Sequence, residues 1–238
     1  MRINFVTLFP EQVLGALAHS IIGRGVERGL LEFVAVNPRD FTTDKHRTVD
    51  DTPYGGGPGM VMKPEPIHAA LLSLGLEPGN DIVLMPDPTG VLFTQVRAIQ
   101  LGGPSSVTIL CGHYEGIDDR IATHWKAEKL SIGDYILSGG EFAALVIADA
   151  ICRNVPGILG CAESLDIDSF GDGLLSAPQF TRPEVWNELA VPEVLTTGDH
   201  GAIGKWKRRE SLQLTLKQRP DLFSKARLDK NDVNLLSS

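Results

Sequence analysis

Short apolar runs alternate with helical patterns over the first two thirds of the chain. The runs are rich in β-branched residues and predict strands at 3–8, 33–36, 81–85 and 107–111. Apolar residues at helical spacing predict helices from Pro10 onward and at 23–30, 64–74, 94–101 and 142–153. Because strands alternate with helices, we expect an α/β fold with a mostly parallel sheet.

Two of the predicted strands end in distinctive turns. Residues 86–90 follow the strand at 81–85, and Gly112 follows the strand at 107–111. In parallel α/β sheets, ligands bind beyond the carboxyl ends of the strands. We therefore expect these two loops to meet at one pocket.

The glycine-rich stretch Val107–Glu141 is the strongest candidate for a binding site. Its turns carry Tyr114, Glu115, Asp134 and Tyr135, which is more than tight turning requires. It is not a phosphate-binding P-loop, since no Gly-Lys-Ser/Thr follows, and it lacks the G-x-G-x-x-G of dinucleotide-binding folds. A pair of purely structural turns is the alternative interpretation.

The last third of the chain differs in composition. Residues 156–173 are rich in Gly, Ser and Asp without apolar periodicity, which predicts a mobile linker or lid that contains a domain boundary. A helix is expected at 201–216, ended by Pro220 and followed by two short helical pieces. We expect a first domain, a linker and a small all-α domain at 1–160, 161–175 and 176–238.

Charge separates the two parts of the chain. The 238 residues have a formal net charge of −8, but residues 201–238 carry nine Lys/Arg and four acids, which leaves −13 for the first 200. A basic end on an acidic body suggests two modules with different partners. Lys205, Lys207, Arg208 and Arg209 predict a phosphate-contacting helix face, with a merely solvated face as the alternative.

Several protein classes are excluded by what the sequence lacks. No apolar run reaches the roughly 20 residues of a membrane span, and the first residues show no signal-peptide cleavage region. Three cysteines, at 111, 152 and 161, form no C-x-x-C pair and fit reduced thiols in a cytoplasmic protein. The six histidines lack zinc-ligand spacing, and no G-x-S-x-G elbow of a hydrolase occurs.

The candidates for chemistry are therefore carboxylates and arginines near loops. Arg153 ends a predicted helix, while Asp166, Asp168 and Asp172 lie in the expected linker. Each has an alternative explanation without function. A cation at a helix C-terminus is stabilised by the helix dipole, and an aspartate in a Gly/Ser loop is often a turn former.

The polar segment 39–62 is a further candidate. Its glycine run, Tyr54–Met60, follows Lys45, His46 and Arg47. Backbone N–H groups together with cations form a cradle for phosphate. A flexible loop is the alternative.

Longer motifs run along nearly the whole chain. They read Pro38-Arg-Asp-Phe41, His46-Arg-Thr-Val-Asp-Asp51, Pro53-Tyr-Gly-Gly-Gly-Pro-Gly-Met60, Tyr114-Glu-Gly-Ile-Asp118, Ser131-Ile-Gly-Asp-Tyr135, Leu137-Ser-Gly-Gly-Glu141, Asp168-Ser-Phe170 and Phe180-Thr-Arg-Pro183. In these motifs the chain resembles the bacterial tRNA (guanine-N1)-methyltransferase family, the TrmD type of the SPOUT class.

The resemblance implies a fold with a deep trefoil knot at 107–141, one of the rare exceptions to unknotted chains. It implies S-adenosylmethionine as the methyl donor, and an obligate homodimer with its active sites at the subunit interface. The implied cofactor-binding residues are Pro86, Asp87, Gly112, Tyr114, Glu115, Ser131, Ile132, Gly133, Asp134, Tyr135, Ile136, Leu137, Gly139 and Gly140.

The implied reaction methylates N1 of guanosine 37, just 3′ of the anticodon of tRNA. The N1 proton must leave, and the negative charge that develops at O6 needs a cation or a donor. The resemblance assigns Asp168 as the general base and Arg153 as the residue that stabilises O6. The implied substrate-binding residues are Arg39, His46, Arg47, Asp50, Tyr54, Gly55, Gly56, Gly57, Lys205, Lys207, Arg208 and Arg209.

Magnesium is also implied, although the sequence shows no dedicated metal site, so an ion would share ligands with the substrate. Three positions depart from the usual family pattern, namely the 85–90 sequence Met-Pro-Asp-Pro-Thr-Gly, His113 in place of Arg, and Phe180 in place of Tyr. Two other functions stay open. The chain could be a non-catalytic knotted module that binds S-adenosylmethionine or RNA, or another SPOUT RNA methyltransferase.

Overall fold

The computed structural model describes residues 1–159 and 168–237. The chain divides into two compact units, Met1–Gly160 (unit 1) and Cys161–Ser238 (unit 2). Within unit 1 the strands are β1 (Arg2–Val6), β2 (Glu32–Val36), β3 (Asp50–Asp51), β4 (Val61–Met62), β5 (Val83–Leu92), β6 (Ser106–Leu110) and β7 (Glu128–Ser131). Five of them form one sheet in the order β2-β1-β6-β5-β7, and every pairing in it is parallel. The predicted α/β class and mostly parallel sheet are confirmed.

Helices cover both faces of this sheet. They are α1 (Pro10–Leu17), α2 (Ser20–Glu27), α3 (Pro64–Ser73), α4 (Gln95–Leu101), α5 (Asp119–Trp125) and α6 (Glu141–Cys152), with a 3₁₀ turn at Pro38–Phe41. Side chains alternate along β1, so Ile3 and Phe5 join the core with α1, α2 and α6, whereas Val6 joins the core with α3 and α5. The sheet is therefore buried on both sides, as parallel sheets usually are.

The expected turn at 86–90 is wrong, because β5 continues to Leu92. Its pairing with β7 shifts register between Pro86 and Val91, so the segment is a bulge within a strand. Pro86 and Pro88 interrupt the hydrogen-bond ladder between β5 and β7, because proline has no N–H to donate. A Cβ at Gly90 would lie 2.4 Å from the Leu130 nitrogen, so glycine lets the backbone return to the sheet.

Helix α5 and strand β7 of unit 1 were not predicted, and neither were the β3–β4 ribbon and the 3₁₀ turn at Pro38–Phe41. Helix α5 has seven residues, too few for a clear period, and polar residues interrupt its buried side chains Ile121, Ala122 and Trp125. Strand β7 has four residues, of which only Leu130 and Ser131 are buried. Both are held by packing rather than by a pattern visible along the chain. The helix expected at 23–30 also begins earlier, at Ser20.

Unit 2 is mainly helical in its described part. It contains β8 (Val185–Trp186), β9 (Leu189–Ala190), a 3₁₀ turn at Glu193–Leu195, α7 (His200–Gln218), α8 (Pro220–Phe223) and α9 (Lys230–Ser237). The helix expected at 201–216 is confirmed, with Asp199 as its N-cap, accepting from Gly201 N and Ala202 N. The antiparallel β8–β9 hairpin differs from the all-α segment that was expected.

Part of the expected linker, residues 160–167, lies outside the described residues, and so do Cys161 and Asp166. The linker and the domain boundary within it stay predictions. In the described part of the chain, no helix has both the length and the apolar character needed to cross a bilayer.

Candidate functional site

A cleft of about 420 Å³ opens at the carboxyl end of the sheet in unit 1. Three segments line it: the bulge of β5, the loop that follows β6, and the chain from the end of β7 into α6. The sequence prediction that the 86–90 segment and the Gly112 loop share one pocket is therefore confirmed. The volume falls within the roughly 300–1,000 Å³ of small-molecule pockets.

Most residues expected to bind a cofactor lie on this cleft. Of the fourteen, Asp134 alone is not among the lining residues, and it is exposed. The lining residues that sequence reasoning missed are Pro88, Thr89, His113, Gly116, Leu130, Ser138 and Ala143. Gly116 and Ser138 lie inside motifs already quoted, and His113 directly precedes one of them. Pro88 and Thr89 belong to the bulge that was taken for a turn.

Glycine is required where the cleft closes. Gly140 N donates to Gly112 O at 2.7 Å, and a Cβ on Gly140 would lie 2.8 Å from Gly112 N. A Cβ on Gly139 would lie 2.6 Å from His113 Nδ1. At Gly112 itself a Cβ would touch only Ile117, at 3.6 Å, which is ordinary contact. Crowding within the chain therefore explains Gly139 and Gly140 but does not explain Gly112.

A buried carboxylate lies beneath the cleft. Glu141 begins α6 and is 3% exposed, and its Oε1 accepts a hydrogen bond of 2.9 Å from Thr7 Oγ1 of the 1–7 segment. Its Oε2 lies 3.9 Å from His113 Nδ1, a buried nitrogen without a hydrogen-bond partner in the described structure. The polar contact of Glu141 with Thr7 helps to hold α6 against the end of β1.

Neither described cysteine is a nucleophile. Burial, with the charge of Glu141 as a second cause, raises the pKa of the Cys111 thiol well above its usual range. Burial likewise raises the pKa of Cys152 to about 12. Both are buried free thiols, which confirms the sequence interpretation for these two positions.

The loop after β6 is held in place by residues 59–62, at the end of the polar segment 39–62. Glu115 N donates to Met60 O and Met62 N donates to Gly116 O, both at 2.9 Å. A Cβ on Gly59 would lie 2.4 Å from the Glu115 side chain. The segment that was expected to contact substrate therefore also shapes the loop that lines the cleft.

The other predicted substrate residues of unit 1 come from the segment 39–57. Arg39 Nη2 donates to the hydroxyl of Tyr114 at 3.3 Å, which places Arg39 at the rim of the cleft. His46 and Arg47 are exposed, and Asp50 pairs with Met62 in the β3–β4 ribbon. Tyr54 is fully exposed, and Gly55, Gly56 and Gly57 have positive φ with open space around them.

The two proposed catalytic residues fall in different units. Arg153 is partly buried at the C-terminal end of α6, where its N–H bonds the carbonyl of Asp149. Asp168 is exposed and lines a groove of about 220 Å³ in unit 2. Lys207 and Arg208, which the sequence assigned to RNA, line the same groove.

The structure divides the basic cluster of α7. Lys205 and Lys207 are exposed, whereas Arg208 is paired with Asp172 and Asp232. Those two partners raise the pKa of the Arg208 guanidinium further. Arg209 is partly buried and lies 3.5 Å from Glu210. Arg208 is thus occupied by internal partners, unlike the solvent-facing cation that the sequence suggested.

Known proteins resemble this chain over most of its length. A family model described as tRNA (Guanine-1)-methyltransferase TrmD matches residues 1–225. Three relatives, all named tRNA (guanine-N(1)-)-methyltransferase, come from Oleidesulfovibrio alaskensis, Pelotomaculum thermopropionicum and Halorhodospira halophila. They are 49%, 47% and 48% identical, each over 99% of this chain. The chain spans 55%, 95% and 89% of their respective lengths.

We predict opposite effects for two Gly→Ala substitutions. Gly140→Ala should lower the free energy of unfolding by about 1–3 kcal/mol, because its Cβ overlaps backbone that cannot rotate away. Gly15→Ala, in α1 with nothing within 4 Å of its Cβ, should raise that free energy by about 0.4–1 kcal/mol. Urea unfolding of both variants measures the difference. Equal stabilities would contradict the close contact at Gly140.

Proposed function

Because the chain belongs to the tRNA (guanine-1)-methyltransferase TrmD family, we propose that it transfers a methyl group from S-adenosylmethionine to N1 of guanosine 37 of tRNA. The match of a single family model to residues 1–225 is the observation that carries the proposal. A cytoplasmic location, where tRNA is found, is part of it.

The residues of the cleft fit S-adenosylmethionine. This donor supplies an electrophilic methyl group on a positively charged sulfonium. The carboxylates of Asp87 and Glu115 line the cleft and match positive charge. Apolar lining from Ile132 and Leu137 suits a flat base, and a Cβ at Gly112 would meet only Ile117, at 3.6 Å, among the described residues. We propose that the expected cofactor residues act here, Asp134 excepted.

Asp168 and Arg153 provide the acid–base part of the proposal. The Asp168 carboxylate takes the proton from guanine N1, and the Arg153 guanidinium stabilises the negative charge that develops on O6. A carboxylate is a weak base for this nitrogen, so the two residues must act together. The exposure of Asp168 supports this role, because the guanine of the tRNA must reach the carboxylate from solvent.

Binding of tRNA is proposed for two surfaces. In unit 2, Lys205 and Lys207 are exposed on α7 and suit phosphate contacts. In unit 1, the segment from His46 to Gly59 ends beside Glu115, so a nucleotide held there lies near the cleft. These surfaces give each unit a role, catalysis at 1–160 and tRNA binding at 176–238, joined by a lid at 161–175.

A homodimer with the active sites at its interface is the third part of the proposal. Helices α4 and α6 contact each other. Together they expose large apolar side chains, which monomeric surfaces seldom gather in one place. These are Val96, Ile99, Phe142 and Val146. A second copy that covers this face suits their chemistry. We also propose that the chain is knotted at 107–141, where Gly112 and Gly140 meet backbone to backbone.

Magnesium receives no step in this scheme. Among residues 1–159 and 168–237, no three His, Cys, Asp or Glu side chains are grouped so as to hold an ion. The donor set of the described chain therefore does not fit a dedicated magnesium site.

Methyl transfer tests the proposal directly. We expect label from S-adenosyl-[methyl-³H]methionine to enter a tRNA transcript with guanosine at position 37 and to be absent from the same transcript with adenosine there. Nuclease digestion and chromatography would identify 1-methylguanosine. Label at a ribose or in another nucleotide would favour a different RNA methyltransferase, and no label in either transcript would favour a binding module.

Asp168→Asn should remove the base while keeping the shape of the side chain. We expect the single-turnover rate of methyl transfer to fall by at least roughly 100-fold, in line with general-base catalysis, while S-adenosylmethionine and tRNA still bind. Glu184→Gln, which neutralises an exposed carboxylate of the same unit, is the matched control and should keep the wild-type rate. Near-normal turnover by Asp168→Asn would end its role as base.

Mixed dimers test which subunit supplies each residue. Asp168→Asn and Arg153→Ala should each be inactive alone. After random mixing, about a quarter of the sites should combine an intact Asp168 from one subunit with an intact Arg153 from the other, if both subunits complete each site. We expect methyl transfer to recover toward that fraction. No recovery, with subunit exchange verified by mass, would place both residues in one subunit.

A further inference from the structure

Arg208 joins two carboxylates that come from different parts of unit 2. Its Nε and Nη2 donate to Asp232 of α9 at 2.7 and 2.9 Å, and its Nη1 donates to Asp172. Asp172 follows Asp168, the proposed base, by four residues. A guanidinium presents its donors in a rigid fork, so one arginine can fix both partners at once.

The residues around the base form a closed loop, defined here as the Asp168 segment (168–177). Phe170 N donates to Leu174 O at 2.7 Å, and Ser176 N donates to Ser169 Oγ at 2.9 Å. Leu174 N donates to the carboxylate of Asp172 at 3.1 Å. The Asp172 carboxylate therefore belongs to the internal hydrogen bonding of the loop as well as to the pair with Arg208.

Helix α7 provides the support to which this loop is attached. Ser211 Oγ donates to Leu175 O at 2.6 Å, and Leu175 N donates to Thr215 Oγ1 at 2.9 Å. These two contacts hold the far end of the Asp168 segment. The contact of Arg208 with Asp172 lies in the middle of the loop. It is closer in sequence to Asp168 than the two contacts of Leu175 are.

We propose that Arg208 is a positioning residue for Asp168, which it serves by tying Asp172 to α7 and α9, and that it does not bind an RNA phosphate. This inference rests on the proposed role of Asp168 as the base. The Asp168 carboxylate must meet guanine N1 in one orientation. Proton transfer is therefore faster when the loop that carries Asp168 cannot shift by an ångström.

Charge gives Arg208 a second effect. The charged side chains that line the groove are Asp168, Asp172, Lys207 and Arg208. With Arg208 present, the charge of Asp172 is compensated. Without it, Asp172 would be a bare carboxylate in the groove that also holds Asp168, and like charges repel each other. That repulsion would move the loop away from the position in which Arg208 holds it.

The test compares Arg208→Met with Asp172→Asn, which removes the negative charge from the same contact but leaves Arg208 on Asp232. Both should lower the single-turnover rate at saturating tRNA by roughly 10- to 100-fold, and the double variant should be no slower than Arg208→Met. Because the rate is measured at saturating tRNA, the loss in both variants should remain when the tRNA concentration is raised further. Arg227→Met, an exposed cation of the same unit, should match the wild type.

Salt dependence of tRNA binding separates this role from a phosphate contact. Loss of one phosphate contact lowers the slope of log K against log salt by roughly 0.7–0.9. We expect an unchanged slope for Arg208→Met and a lowered slope for Lys205→Met. A lowered slope for Arg208→Met, with its rate restored by excess tRNA, would overturn the proposal.

Folding is checked by thermal unfolding of each variant. If Arg208→Met does not fold, Asp172→Asn decides alone, and a wild-type rate in that variant overturns the inference. If the wild-type protein methylates tRNA and Arg208→Met is equally fast, only the positioning role is rejected. A wild-type protein without methyl transfer would reject the proposed function itself.

Discussion

The backbone contact between Gly112 and Gly140 is the constraint on which the cleft depends. It holds Gly112, which follows β6, against Gly140, the residue before α6, at a distance that leaves no room for a Cβ on Gly140. Glu141 follows directly, and its buried carboxylate anchors the start of α6 to Thr7. A strand end, a helix start and the adjoining strand are thereby held together, and the cleft is the space left in front of them.

The two units use charge differently. Unit 1 offers carboxylates and main-chain groups around its cleft, whereas unit 2 groups Lys205, Lys207, Arg208 and Arg209 on α7. Within that helix, neighbouring cations have separate tasks. Lys205 and Lys207 are exposed, while Arg208 is occupied with partners inside its own unit. A count of basic residues therefore overestimates the surface that is open to RNA.

Much of the fold and the cleft was predictable from sequence. Apolar runs and helical spacing reported the larger elements of unit 1, and glycines marked the loops that line the cleft. The bulge of β5, helix α5 and strand β7 escaped because they are set by packing and by missing proline N–H groups, not by periodicity. Arg208 escaped for a related reason: sequence shows its charge, while only the fold shows the aspartates beside it.

The burial of Cys111 has a consequence for watching this protein move. Its thiol lies at the end of β6, next to Gly112, with no solvent exposure and a strongly raised pKa. A maleimide or iodoacetamide reaches such a sulfur only when the surrounding backbone opens. The rate of alkylation at Cys111 therefore reports how often the backbone beside Gly112 opens. A ligand that holds this backbone closed would slow the alkylation.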